Sequence, residues 1–374
     1  MNLNFNAAHN EKTLEGSPKL IKGLVLAGGE GTRLRPLTLA LPKHLTPLLG
    51  RAMIEYPIQH LEEADIRDIG IVVGYLGRLI REYLGDGSSY GVSFTYIEQP
   101  KRLGIAHAIH LAINHGFLDR PFVVYLGDNI LAHGIKEYVK RFVEDESDVF
   151  ILLSRVKDPS RFGVAVIKDG KIVRLIEKPK EFVSDLAVVG VYMFRDPDLV
   201  ERAFRTLKPS WRGEYEITEL TQWFIDNGYR VDYDVVSGWW KDVGTPESLL
   251  EALYLLLDEV SPRVEGVVKG EVLGRVIIEK GAIVEGRVYG PTYIGRNVVI
   301  EKNAVVEHYV SAEQGAKIVS GSITRSLIMD GTVIDINRLR LVDSVVGRYS
   351  LVRCSREMHG EIRLAISDYS RVEL

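Results

Sequence analysis

The run Leu24-Val25-Leu26-Ala27-Gly28-Gly29-Glu30-Gly31-Thr32-Arg33-Leu34-Arg35-Pro36 ends an apolar, β-branched stretch in two adjacent glycines, with a third just after. Without a Cβ, such a corner lets backbone come close to a ligand. Arg33 and Lys43 follow at once, where they could meet phosphate oxygens. The spacing G-G-x-G-T-R is neither the dinucleotide fingerprint G-x-G-x-x-G nor the P-loop. Glycines, arginine and lysine at the carboxyl end of a first strand read as a site for a nucleoside triphosphate. A tight left-handed turn between strand and helix would use the same glycines, but it has no need of the cations.

Two aspartates supply the opposite charge. Asp128 ends the apolar run Val123-Val124-Tyr125-Leu126-Gly127-Asp128-Asn129, and Asp242 stands in Trp239-Trp240-Lys241-Asp242-Val243-Gly244-Thr245-Pro246. A carboxylate at the carboxyl edge of a central parallel strand sits where ligands bind in such sheets. Mg²⁺ commonly uses one or two carboxylates plus substrate phosphates, so two converging aspartates would suit it. A helix N-cap is the plain alternative for Asp128. Between them lie Gly163 and Glu177-Lys178-Pro179. Proline after lysine favours an extended loop, leaving an ammonium for a phosphate beside a carboxylate for sugar hydroxyls; an exposed surface pair would look the same. Gln99-Pro100 and Gly104 flank a turn. The Gln99 amide has both donor and acceptor for a pyrimidine edge, although an ordinary turn explains these residues too.

The elements that must position these groups alternate along the chain. Strands are expected at 23–27, 69–74, 92–97, 121–126, 149–156, 163–167, 172–177, 187–194 and 231–235. Helices are expected near 53–65, 77–84, 104–116, 134–145, 197–206, 217–227 and 246–258. That order predicts a mostly parallel sheet with helices on both faces. Ser261-Pro262 marks a boundary after a leucine-rich helix. Beyond it, Val272, Ile278 and Val284 recur every six residues, as do Val288, Ile294, Ile300 and Val306 after a shift of phase. Val298, Ala304 and Val310 form a second row, and the pattern returns at Ile328, Ile334 and Val345-Val346-Gly347. A six-residue apolar step is the mark of a parallel β-helix, here short and irregular.

Composition removes other classes. A chain of 374 residues, 46% hydrophobic, is long enough for two domains and is not a disordered one. A net charge of −4 argues against nucleic acid as partner. No stretch approaches a membrane span. Residues 1–20 read as a loose leader without the apolar core of a signal peptide. The single cysteine, Cys354, excludes an internal disulfide and fits a cytoplasmic protein.

Taken together, the ordered motifs LAGGEGTRLRPLT, PKHLTPL, EQPKRLGIAHAI, VYLGDN, RFGV, IEKP, GVYMF, RGEYEITEL and WWKDVGTPESLL resemble the sugar-phosphate nucleotidylyltransferase family, most closely its glucose-1-phosphate thymidylyltransferases. The resemblance covers residues ~22 to 258. It implies an α/β fold: a Rossmann-like nucleotidyltransferase domain (21–260) behind the leader (1–20), then a left-handed β-helix (261–374) as in longer members. The implied reaction joins dTTP or UTP to glucose 1-phosphate and releases pyrophosphate. By the same resemblance Leu26, Gly28, Gly29, Gly31 and Thr32 would wrap the nucleotide, and Gln99 and Gly104 would read its base. Arg33 and Lys43 would hold the triphosphate and the leaving pyrophosphate, and Lys178 the sugar phosphate. Asp128 and Asp242 would bind Mg²⁺. Gly163, Glu177, Tyr192, Glu214 and Trp240 would line the sugar pocket.

Three residues depart from the family pattern. His44 and Thr46 stand where relatives more often carry glutamine and a bulky apolar residue, and His107 where many have glutamine. Rival readings are a uridylyl- or guanylyltransferase on another hexose phosphate, a bifunctional acyltransferase using His308 as base, and a non-catalytic subunit. The last would tend to lose Arg33, Lys43 or the aspartates, yet all are present. Flat faces and open ends of a β-helix need covering, so a homo-oligomer is expected.

Overall fold

A computed structural model of the chain describes residues 21–374; the leader expected over residues 1–20 lies outside the described residues. The short β-branched runs are strands and the longer amphipathic stretches helices. β1 (Lys22–Ala27) leads through β2 (Pro47–Leu48) and β3 (Arg51–Ala52) to α1 (Glu55–Glu63), β4 (Asp68–Val73), α2 (Gly77–Leu84), β5 (Ser93–Glu98) and α3 (Ile105–Asn114). Next come β6 (Phe122–Leu126), β7 (Asn129–Leu131), α4 (Lys136–Glu144), β8 (Val149–Arg155), β9 (Gly163–Lys168), β10 (Lys171–Glu177) and β11 (Leu186–Phe194). The unit closes with α5 (Pro197–Phe204), α6 (Ile217–Asp226), β12 (Val231–Val235), β13 (Trp240–Asp242) and α7 (Pro246–Glu259).

The main sheet runs β10-β9-β11-β6-β1-β4-β5, with β8 against β11 and β12 against β8. Its half from β6 through β1 and β4 to β5 is parallel. β11 runs antiparallel to β6, β8 and β9, so the sheet as a whole is mixed. Asp169 and Gly170, at φ 51° and 74°, form the two-residue turn that folds β10 back on β9. Positive φ at both positions is what a hairpin turn compatible with strand twist demands.

Apolar faces of the helices cover both sides of this sheet. Ile58 and Leu61 of α1, Ile80 and Leu84 of α2, and Val139 and Phe142 of α4 bury against one face. Ile109 and Ala112 of α3, Val200 and Ala203 of α5, and Leu220 and Phe224 of α6 bury against the other. With both faces covered, β1 and β6 lie in the middle, and their carboxyl ends are where polar side chains can gather.

From Arg263 onward every strand pairing is parallel. One face is a seven-stranded sheet; a ten-stranded sheet makes the other two, because Val299–Val306, Lys317–Thr324 and Val333–Val342 each turn a corner. This is a parallel β-helix. Val276 pairs with Thr292, whereas Thr292 pairs with Val310 and Val345 with Ala365. Coils therefore range around the length of three hexapeptides, and the shorter ones cause the phase shift after Val284. The repeat residues Ile278, Val284, Val288, Ile294, Ile300, Val306, Val310, Ile328, Ile334 and Val346 fill its axis.

Leu249, Leu253 and Leu257, four apart on α7, pack with Leu327, Met329 and Val345 of the β-helix. Tyr254 donates its hydroxyl to the Arg325 carbonyl at 3.0 Å. The turn between β2 and β3 also reaches the β-helix, where the Gly50 N–H donates to Glu313 Oε2 at 2.9 Å. Among the described residues no helix is long and apolar enough to cross a membrane.

Candidate active site

β1 ends between β4 and β6, so its glycine loop leaves the carboxyl edge of the parallel half. Room for side chains on this loop is small, and least at Gly31. A Cβ on Gly28 would stand 3.1 Å from Gln99 Oε1, and one on Gly29 3.4 Å from Lys43 Cε. Gly31 sits at φ 64°, a backbone that L side chains rarely adopt. The loop thus wraps the Lys43 side chain. Arg33 follows on the turn Thr32–Leu34, and its guanidinium crosses Gly244, where a Cβ would lie 2.7 Å from Nη2.

Asp128 comes two residues after β6. β7 then pairs antiparallel with β13, setting Asp242 opposite Asn129, and the Val243 N–H donates to the Asp128 carbonyl at 2.9 Å. Lys43 Nζ forms an ion pair with Asp128 Oδ2, and Asn129 Nδ2 donates to Oδ1 at 2.9 Å. Burial pushes the Asp128 carboxyl up, but Lys43 and the Asn129 hydrogen bond outweigh it and hold it below its ordinary value. Asp242 moves the other way: burial and the neighbouring Asp128 raise it to about 6, against Lys43, Arg33 and Arg161. Two carboxylates thus share too little positive charge. Their oxygens suit a hard divalent cation, and no group of three or more His, Cys, Asp or Glu side chains among the described residues would hold one unaided. Phosphate oxygens of a substrate would have to complete such a site. His44, beside Lys43, is fully buried and driven down to about 3, so it stays neutral there.

Gln99 is buried at the end of β5, and its Nε2 donates to the Gly104 carbonyl at 3.1 Å. Gly104 is again obligatory: at φ 97°, its Cβ would collide with the Tyr215 carbonyl at 2.5 Å. Further along the same cleft, Glu177 accepts from Thr218 Oγ1 at 3.2 Å and lies 3.5 Å from Arg212 Nη2. Burial, with Glu216 nearby, raises the Glu177 carboxyl despite Lys178 and Arg212. Arg212 also meets Glu214 at 2.9 Å and Glu216 at 2.6 Å. Trp240 Nε1 donates to Asn129 Oδ1 at 2.7 Å, which also accepts from the Gly190 N–H at 3.1 Å.

One cleft of about 350 Å³ is lined by Leu26, Gly28, Gly29, Arg33, Lys43, Gln99, Gly104, Asp128, Gly163, Glu177, Lys178, Tyr192, Glu214, Trp240 and Asp242. Gly31 and Thr32 do not line it; they shape the turn that delivers Arg33. Lys178 departs from the extended loop expected before proline. Its φ is 44°, because its N–H is held by the Phe162 carbonyl at 3.0 Å as β9 and β10 separate. Asn129, Arg102, Arg161, Arg212 and Glu216 also line the cleft, although nothing in their type or spacing marks them in the sequence. Four of them stand inside VYLGDN, EQPKRLG and RGEYEITEL, and Arg161 opens RFGV, so their signal in the sequence is their place beside Asp128, Gly104, Glu214 and Gly163. His308 lies elsewhere, exposed on the β-helix, with Nδ1 2.6 Å from the Gly290 carbonyl.

Known proteins fit this geometry. The model of the nucleotidyl transferase family matches residues 22–259, the span that builds the cleft. A glucose-1-phosphate thymidylyltransferase of Streptomyces griseus is 38% identical over 359 residues, covering 95% of this chain and 99% of its own. The low-salt glycan biosynthesis nucleotidyltransferase of Haloferax volcanii is 39% identical over 374 residues, 95% of this chain and 100% of its own. Among solved structures, a Bacillus anthracis protein assigned to the glucose-1-phosphate thymidylyltransferases, crystallised with sucrose, is 40% identical. It superposes with a TM-score of 0.59 over 64% of this chain and 96% of that one. A glycine loop threaded by lysine, two facing aspartates and a match along the whole of that framework leave one assignment: the chain belongs to the nucleotidyl transferase family.

Proposed function

We propose that this chain transfers a nucleotidylyl group from dTTP or UTP to glucose 1-phosphate, giving dTDP-glucose or UDP-glucose and pyrophosphate. The observation that carries the reading is a single cleft in which the Lys43–Asp128 ion pair and Asp242 share space with Gln99 and with Glu177-Lys178. A phosphate monoester is already nucleophilic at neutral pH. Its oxygen attacks the α-phosphorus in line, the bond to the bridging oxygen breaks, and pyrophosphate leaves with that electron pair. The protein's task is to bring two anions together and neutralise them, with no covalent intermediate.

Roles follow from chemistry and position. Gly28 and Gly29, with Leu26, leave room for the nucleotide, and Gln99 with Gly104 reads its base. Lys43 and Arg33 hold the triphosphate and the departing pyrophosphate. Lys178 holds the sugar phosphate, while Gly163, Glu177, Tyr192, Glu214 and Trp240 receive the hexose. Asp128 and Asp242 would hold Mg²⁺, which when bound neutralises and orients phosphate oxygens. Residues 21–260 are the catalytic unit in this reading, and the β-helix of 261–374 serves assembly of a homo-oligomer in the cytoplasm.

Incubation with dTTP, glucose 1-phosphate and Mg²⁺, followed by anion-exchange separation, tests this. Equimolar dTDP-glucose and pyrophosphate are expected, and added pyrophosphate should reverse the reaction. Formation of dTMP without a nucleotide sugar would contradict transfer.

A further inference from the structure

Gln99 Nε2 has two partners. One is the Gly104 carbonyl at 3.1 Å, which can only accept, and this fixes which end of the amide is the NH₂. The other is His107 Nδ1, also at 3.1 Å. An NH₂ group cannot accept, so Nδ1 must, and the His107 proton resides on Nε2. Both amide hydrogens are then used inside the protein. The oxygen Oε1 faces Gly28 in the cleft, and no donor reaches it among the described residues. A glutamine amide on its own is ambiguous, since rotation by half a turn exchanges donor and acceptor. Here the Gly104 carbonyl resists that rotation outright, and His107 adds to it in the tautomer that carries its proton on Nε2.

His107 is itself held. It lies on the first turns of α3, its ring stacked on Tyr215 at 6.4 Å and 6.4 Å from Phe204. The titratable groups around it are His110 on its own helix, Tyr215 on the facing segment and, behind His110, Glu201 of α5 at 2.6 Å from His110 Nδ1. Burial, with His110, lowers the His107 pKa and keeps it neutral near pH 7.

We propose that His107 is a positioning residue for base selection: as an acceptor it locks the Gln99 amide with Oε1 toward the nucleotide, favouring a base with a ring N–H there. Thymine and uracil carry that hydrogen on N3, whereas cytosine presents a lone pair at the same ring position. The inference rests on the base-reading role proposed for Gln99.

Two variants and a pH series test it. His107→Leu keeps the bulk and removes the acceptor; His107→Asn restores an acceptor near Nδ1. In steady state with dTTP, UTP and CTP, H107L should raise KM for dTTP and UTP about tenfold. Its kcat and its KM for the sugar phosphate should change by less than about twofold, and its preference for dTTP over CTP should fall about tenfold. H107N should recover most of both. In the wild type, dTTP affinity should weaken as pH falls through the His107 titration, since a protonated Nδ1 opposes the amide NH₂, and H107N should lack that loss. Unchanged selectivity in H107L, an H107N as impaired as H107L, or a flat wild-type pH series would each overturn the proposal. Calorimetric binding of dTTP and CTP without sugar phosphate reads the same ratio, so loss of turnover alone would count against the enzymatic reading and not this one.

Discussion

Asp128 and Asp242 sit side by side because the β7–β13 ladder sets Asp242 across from Asn129, with the Val243 N–H on the Asp128 carbonyl at 2.9 Å. Lys43 neutralises one of them and leaves the other raised to about 6. The arrangement carries unspent negative charge in the free protein, and a cation with its phosphates would relieve it.

Removing that charge should separate activity from stability. Asp128→Asn and Asp242→Asn are each expected to lower kcat/KM by about 10²–10³-fold. D242N should nevertheless unfold at the same or higher denaturant concentration at pH 8, by about 1–2 kcal/mol, since it removes a buried charge that Asp128 repels. Kinetics beside denaturant melts check both. A D242N that keeps full activity would remove the metal assignment.

Lys178 lines the cleft 3.7 Å from Glu177, its backbone pinned by Phe162. Lys178→Ala should raise KM for glucose 1-phosphate by roughly 10–100-fold, the worth of a charge-assisted hydrogen bond. KM for dTTP should stay within about twofold. Loss confined to nucleotide binding would contradict the role.

Glu313 links the β-helix to the catalytic unit through Gly50, and burial raises its carboxyl from 4.5 to about 7. A raised folded-state value means the proton favours the folded form. The contribution is complete below about pH 4.5 and disappears as pH rises to about 7, on the order of 3 kcal/mol. Thermal unfolding from pH 5 to 8 should therefore fall more steeply in the wild type than in Glu313→Gln, which should be the more stable protein at pH 8. Parallel curves would show that Glu313 is not the titrating group.

His308 is exposed, with Nδ1–H donating to the Gly290 carbonyl and Nε2 left as its acceptor nitrogen, so its chemistry is open to a direct test. No turnover of acetyl-CoA is expected from the wild type, and His308→Ala should leave nucleotidylyl transfer within about twofold. Acetyl transfer abolished by that substitution would instead make the β-helix an acyltransferase.

Long periodic segments were legible in the sequence because burial on two faces imposes a pattern. Ile109 and Ala112 on α3, or Ile300 and Val306 in the β-helix, declare their side of the core without help from the fold. The candidate site was legible residue by residue, through Gly28, Arg33, Lys43 and Asp128. Its assembly was not. β7 and β13 have three residues each, too short for any period, yet their pairing is what brings Asp242 to Asp128. Nor does local preference reveal that the Phe162 carbonyl overrides the extended backbone expected at Lys178, or that Asn129 serves Asp128, Gly190 and Trp240 together.

The most direct measurement is pyrophosphate release with Mg²⁺ from a matrix of dTTP, UTP, GTP, CTP and ATP against glucose, galactose, mannose, glucosamine and N-acetylglucosamine 1-phosphates. Release is expected with dTTP or UTP and glucose 1-phosphate, and should be abolished in Lys43→Ala. Release only with GTP and mannose 1-phosphate would keep the chemistry and overturn the role of Gln99; none from any pair, in folded protein, would contradict the catalytic assignment itself.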